Sequence, residues 1–124
     1  MWFRFPWLPA AFSRLEEVEV VILSFSNGCV LAHQIAYYLG KKVKAIVFAS
    51  GVPGLQPDFG RPCLEKIPCV FVGGEAEEYF GGLAGLKGVA EDWKFPLVQH
   101  SAGHCFEPVS VWPQVLAHFH FGFV

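Results

Sequence analysis

Charge is scarce in this chain: only 16% of its 124 residues are Asp, Glu, Lys or Arg, and the formal net charge is -2. No basic cluster occurs, so the chain lacks the electrostatic footprint a phosphate backbone requires, and no nucleic acid is expected as a partner. Its apolar runs are short, none near the roughly 20 residues a bilayer-spanning helix needs, so no membrane span is expected. The four cysteines, Cys29, Cys63, Cys69 and Cys105, show no C-x-x-C spacing. They read as free thiols in a reducing, cytoplasmic compartment, although Cys63 and Cys69 could pair. There is no internal repeat, low-complexity tract or linker, and the length suits a single domain spanning 1–124. What the chain has in abundance is apolar bulk, 53% hydrophobic and 16% aromatic, which excludes a disordered segment.

The organising stretch is Val18 to Leu39, VEVVILSFSNGCVLAHQIAYYL. A β-branched apolar run from Val18 to Phe25 predicts a strand covered on both faces. Ser26-Asn27-Gly28 then turns the chain, and Asn27 to Leu39 predicts a helix with Val30, Leu31, Ile35 and Leu39 on its inner face. Gly40 ends it, with Lys41 and Lys42 at its negative pole. A serine at such a strand–helix apex projects its hydroxyl above the sheet, where the helix also aims its N–H groups and positive dipole end. Ser24 and Gly28 flank the apex, where close approach of strand and helix is expected to demand small residues.

The remaining chain alternates in the same way. Ser13 is placed to cap a short helix that leads into the first strand, behind an apolar arm, MWFRFPWLPAAF, interrupted by Pro6 and Pro9. Val43 to Ala49 predicts the second strand, and Ser50 to Lys66 a long Gly- and Pro-rich loop at its carboxyl end. Ile67 to Val72 predicts the third strand, followed by a Gly73-Gly74 turn. Glycines at 81, 82, 85 and 88 leave Tyr79 to Val89 a loose helix at best. Lys94 to Gln99 predicts a fourth strand, marked as an edge by Pro96. Ser110 to Phe121 predicts a closing helix with Pro113 in its first turn. Strand and helix in alternation imply an α/β fold: a parallel sheet of about four strands with helices on both faces.

Three chemistry-bearing residues follow three different strands: Ser26 the first, Glu77 the third and His104 the fourth. In a parallel sheet all three share one edge. A serine hydroxyl is a poor nucleophile until an imidazole takes its proton. That imidazole needs a carboxylate to fix its tautomer and stabilise its charged form. The backbone N–H of Asn27, the residue after the serine, is placed to hold a developing oxyanion.

SFSNG after VVIL, GVPG after the second strand, VGGEAEE after the third and QHSAGHCFEP near the end together resemble the serine hydrolases of the α/β-hydrolase superfamily. The resemblance is nearest to the small FSH-type hydrolases and carboxylesterases, whose signatures read GFSQG, G-x-x-D and H-x-x-G-H-x-x-P. It covers Val18 to Phe121. It implies a Ser26, Glu77, His104 triad that cleaves small acyl esters through an acyl-enzyme, without cofactor or metal. Phe25 and Val52, with Leu55 and Phe106, fall beside the motifs as substrate-binding walls. The chain departs from the pattern at Ser24, which stands for the first elbow glycine, at Glu77, one methylene longer than aspartate, and at Pro108, displaced by a residue. Such enzymes also carry several strands before the elbow. Only 1–17 precede it here, so the chain reads as the carboxyl-terminal half of that fold. That would leave the first strand at an open, apolar edge and predicts a homo-oligomer through that edge and residues 1–25.

Blander readings stand beside these. The serine in S-F-S-N-G also serves as a plain turn residue and helix cap. Glu75 or Glu78 could supply the carboxylate in place of Glu77. His100, His104 and Cys105, with Glu107, His118 or His120, could ligate a metal, although Gly103 argues for loop rather than helix and structural zinc shows paired cysteines. Cys29 and Cys69 read as small core residues, and Tyr37 and Tyr38 as packing. The alternative function is a non-catalytic hydrolase remnant that serves as a binding or interaction module.

Overall fold

The computed structural model describes residues 19–54, 62–105 and 111–119. Four strands, β1 (Val20–Phe25), β2 (Val43–Ala49), β3 (Cys69–Gly74) and β4 (Leu97–His100), lie in the order β1-β2-β3-β4, and every neighbouring pair is parallel. Between them run α1 (Gly28–Leu39), a single turn α2 (Pro62–Glu65) and α3 (Gly82–Trp93), and α4 (Trp112–Leu116) follows β4. This is the α/β arrangement that the alternating pattern predicts.

The sheet is covered on both faces. One carries Ile46, Phe48, Cys69 and Phe71 against Cys29, Ala32, Ala36 and Leu39 of α1, Leu64 of α2, and Ala90 and Trp93 of α3. The other carries Ala45, Val47, Ala49, Val70, Val72 and Val98 against Val111, Val115 and Phe119 in and around α4. β2 and β3 are buried almost throughout, which is why both read as unbroken apolar runs. β1 differs: Val21 and Leu23 are 41% and 55% exposed on the α4 side of the sheet.

Several expectations are corrected. The inner face of α1 is built from small residues, Cys29, Ala32 and Ala36, with buried His33 and Gln34 beside them, while Val30, Leu31 and Ile35 are half-buried. Small side chains let the helix lie close to the sheet. Tyr37 and Tyr38 are exposed and stack edge-to-face on each other rather than entering the core. The glycine-rich stretch forms a full helix of 12 residues, α3, because Leu86, Ala90 and Trp93 recur at helical spacing and are all buried. Burial of that stripe outweighs the poor intrinsic propensity of glycine. The long loop after β2 contains the turn α2. Ile67 closes it by donating its N–H to Leu64 O, so β3 starts later than its apolar run. Gly73 and Gly74 belong to β3, where Gly74 pairs with His100. Cys29 and Cys69 are buried, and all four cysteines are free thiols. Burial pushes the Cys29 thiol up to about 12 and the Cys63 thiol to about 11, so neither is a reactive thiolate at neutral pH. Gly40 ends α1 at φ +56°, returning its N–H to Ala36 O. The arm and helix expected over 1–17 lie outside the described residues. Among the described residues no helix is long and apolar enough to cross a membrane.

Phe71 is fully buried at the sheet centre, 5.4 Å from the ring of Phe48 and 6.0 Å from that of Phe95. Phe71→Ala is expected to lower unfolding free energy by about 3–5 kcal/mol in urea titrations, as truncation of a buried aromatic does.

Candidate active site

Ser26 ends β1 with φ +56°, a left-handed conformation that costs a non-glycine residue roughly 1–3 kcal/mol. The turn is held from both sides. Ser26 N–H donates to Ala49 O at 2.9 Å, Cys29 N–H donates to Ser26 O at 3.0 Å, and Val30 N–H donates to Asn27 O at 3.2 Å. Close approach does limit side-chain size here, but at Gly51 rather than Gly28. A Cβ on Gly51 would stand 2.3 Å from Ser26 O and 2.7 Å from Cys29 Sγ, whereas one on Gly28 would meet nothing within 4 Å. Ser24 is not merely a small stand-in. Its buried hydroxyl donates to Val47 O at 2.7 Å and ties β1 to β2 beneath the elbow.

The three separated residues meet. Ser26 Oγ lies 2.9 Å from His104 Nε2, and His104 Nδ1 lies 2.7 Å from Glu77 Oε1. A carboxylate only accepts, so Nδ1 carries the imidazole proton and Nε2 is left as the acceptor for the serine hydroxyl. Glu77 is the carboxylate among the three candidates that enters the site. Its side chain is fully shielded from solvent, while Glu75 and Glu78 are exposed. Glu77 Oε1 also accepts the N–H groups of Glu78 at 3.1 Å and Tyr79 at 3.0 Å. Burial alone would push the pKa of this group up. The Tyr79 N–H, His104 and the Ser50 hydroxyl together outweigh it and hold Glu77 below the ordinary carboxylate value.

His104 is enclosed by rings: Tyr79 at 4.7 Å, Phe25 at 4.9 Å and Phe80 at 6.0 Å between centroids. Phe25 is half-buried beside His104. Val52 is half-buried just after Gly51, and Leu55 and Phe106 lie outside the described residues. The loop that bears His104 lies directly over β3. A Cβ on Gly74 would fall 2.0 Å from Ala102 O and 2.7 Å from Gly103 O, so only glycine admits this crossing. The N–H of Asn27 has no hydrogen-bond partner among the described residues, and its side chain does not cap α1.

Two residues of the metal alternative, His104 and His100, are otherwise engaged. Both nitrogens of His104 lie in the Ser26–Glu77 relay, and His100 Nδ1 accepts the Ala102 N–H at 3.1 Å. Burial holds His100 below the ordinary imidazole value, against the pull of Glu77 and Glu75. His118 is exposed beyond α4, and Glu107 and His120 lie outside the described residues. Among the described residues no three His, Cys, Asp or Glu gather as a metal site. An open cavity of about 470 Å³ lies at the opposite end of the sheet, between Ala36, Val43, Ile67 and Pro68, and none of Ser26, Glu77 and His104 lines it.

Because the folded chain holds Glu77 below its ordinary value of 4.5, the unfolded chain takes up that proton first as pH falls. The stability that this carboxylate contributes is complete above pH 4.5 and is lost as pH drops through the lowered folded value. Glu77→Gln is therefore expected to flatten the acid side of the stability profile, followed as melting temperature from pH 7 to pH 3.

Comparison with family models, with curated proteins and with solved structures finds no match to this chain.

Proposed function

We propose that this chain is a serine hydrolase of the α/β-hydrolase type that cleaves small acyl esters. The observation that carries the reading is the continuous relay from Ser26 Oγ through the His104 ring to Glu77 Oε1, at 2.9 and 2.7 Å, assembled from three strand ends. Ser26 Oγ attacks the ester carbonyl carbon while His104 Nε2 takes its proton. The carbonyl oxygen becomes an oxyanion beside the Asn27 N–H. The tetrahedral species collapses as His104 returns the proton to the departing alkoxide, which leaves as the alcohol and leaves an acyl group on Ser26. A water then attacks the acyl carbon as His104 Nε2 takes its proton, and that proton passes to Ser26 Oγ as the acid leaves. Glu77 keeps the imidazole in the right tautomer and balances its charge in each half-reaction. No cofactor is required.

Support comes also from the strained φ of Ser26, since backbone strain concentrates where a side chain must be held for chemistry. The free thiols suit a reducing, cytoplasmic setting. A remnant that only binds would have no use for a shielded carboxylate aimed at an imidazole.

Ser26→Ala is expected to lower hydrolysis of p-nitrophenyl acetate by about a thousandfold or more at unchanged circular dichroism, the size seen when a nucleophile is removed from such a relay. A fluorophosphonate probe is expected to label the wild-type chain at Ser26. Full activity in Ser26→Ala, or a folded chain that resists the probe, would favour the binding module instead.

We propose further that the chain is a homo-oligomer that associates through β1 and residues 1–25. Among the described residues β1 is an outer strand, with Val21 and Leu23 exposed beside its edge. Light scattering at increasing concentration is expected to report a multiple of 13.8 kDa. A monomer at the highest soluble concentration would refute the association.

A further inference from the structure

Ser50 stands immediately after β2 and has no solvent exposure. Its φ is +50°, so it occupies a backbone conformation that glycine or asparagine adopts at lower cost. Its N–H donates to Val72 O at 2.9 Å, an interaction that any non-proline residue would make. Only the hydroxyl explains a serine at this point. Ser50 Oγ donates to Cys105 O at 3.3 Å, a long contact to the residue that follows His104. The same hydroxyl helps to keep the Glu77 carboxylate ionised. Glu77 Oε1 is crowded with donors: His104 Nδ1, Glu78 N–H and Tyr79 N–H. Glu77 Oε2 is buried and accepts no hydrogen bond. A buried carboxylate oxygen without a donor is expensive, and a serine hydroxyl reorients by rotation about a single bond.

We propose that Ser50 is a positioning residue of the relay, its hydroxyl exchanging between Cys105 O and Glu77 Oε2 and so fixing the carboxylate against the imidazole. The inference rests on the reading of Ser26, His104 and Glu77 as one relay. It extends that relay to a fourth strand-end residue, so that all four strands contribute. In one orientation the hydroxyl holds the loop of the base, and in the other it holds the carboxylate. The other titratable groups placed to act on Glu77 are His104 and, from β4, His100, with Glu75 acting on His100 from the loop after β3. None of these changes when Ser50 is replaced.

The test compares Ser50→Gly, Ser50→Ala and Ser50→Thr in the full chain. Glycine relieves the backbone and lacks the hydroxyl. Threonine keeps the hydroxyl but strains the backbone. Ser50→Gly and Ser50→Ala are expected to lower kcat for p-nitrophenyl acetate by about tenfold with KM little changed, the effect of one lost hydrogen bond realised in the transition state. The acid limb of kcat/KM should move to higher pH, because a carboxylate with one donor fewer holds the shared Nδ1 proton more tightly. Ser50→Thr should be less stable than Ser50→Gly yet more active. Activity that follows stability instead, with Ser50→Gly at or above wild type and an unmoved pH profile, would overturn the proposal and leave Oε2 to a bound water. The downfield proton resonance of His104 Nδ1–H supplies a readout independent of turnover. It should shift in Ser50→Gly even if the wild-type chain hydrolyses no ester, and an unmoved resonance overturns the role of Ser50 whatever the fate of the hydrolase reading.

Discussion

The candidate site depends on the register of a parallel ladder. The N–H of Ser26 reaches Ala49 O, that of Ser50 reaches Val72 O, and that of Glu75 reaches His100 O, each at 2.8–2.9 Å. Each strand therefore continues its pairing for one residue past its end, and the loops leave the sheet at matched heights. A slip of one residue would displace a side chain by about 3.3 Å and turn it to the other face. The relay contacts have no such tolerance. What prevents the slip is two-sided burial: Ile46, Phe48 and Phe71 on one face, Ala45, Val47, Val70 and Val72 on the other. The core thus sets the heights from which the loops of Ser26, Glu77 and His104 converge.

Against this rigid floor the loops accept unfavourable backbone. Ser26, Ser50 and Phe80 all have positive φ, and all three border His104 or its partners. The glycines that matter answer to crossings between loops. Gly51 passes against the Ser26 carbonyl and Gly74 lies under the His104 loop. Strain and close approach occur together because several chain segments must converge on one small volume.

The alternation of strand and helix was legible because burial leaves a periodic trace: the unbroken run VKAIVFA is a doubly covered strand, β2, with the bounds its sequence predicts. The convergence of Ser26, Glu77 and His104 was legible from their places after three strands. Motif position alone favours Glu77 over Glu75 and Glu78, since spacing after β3 does not say which carboxylate turns inward. Gly51, Gly74 and Ser50 carried no signal of their own, since each answers to a segment far away in sequence. The helix Gly82–Trp93 was masked by its glycines, whose weak propensity is overridden only when Leu86, Ala90 and Trp93 find a surface to cover. On α1, large apolar residues drew the eye to Val30, Leu31 and Ile35, while the sheet is met by Cys29, Ala32 and Ala36.

The rings around His104 have a consequence for motion. Tyr79, Phe25 and Phe80 crowd the imidazole from three directions, so it cannot turn end over end without displacing them. Its two nitrogens are thereby permanently assigned, one to the hydroxyl and one to the carboxylate. Nε2 therefore stays on the side of Ser26 and Nδ1 on the side of Glu77, an assignment made by the walls as much as by the groups themselves.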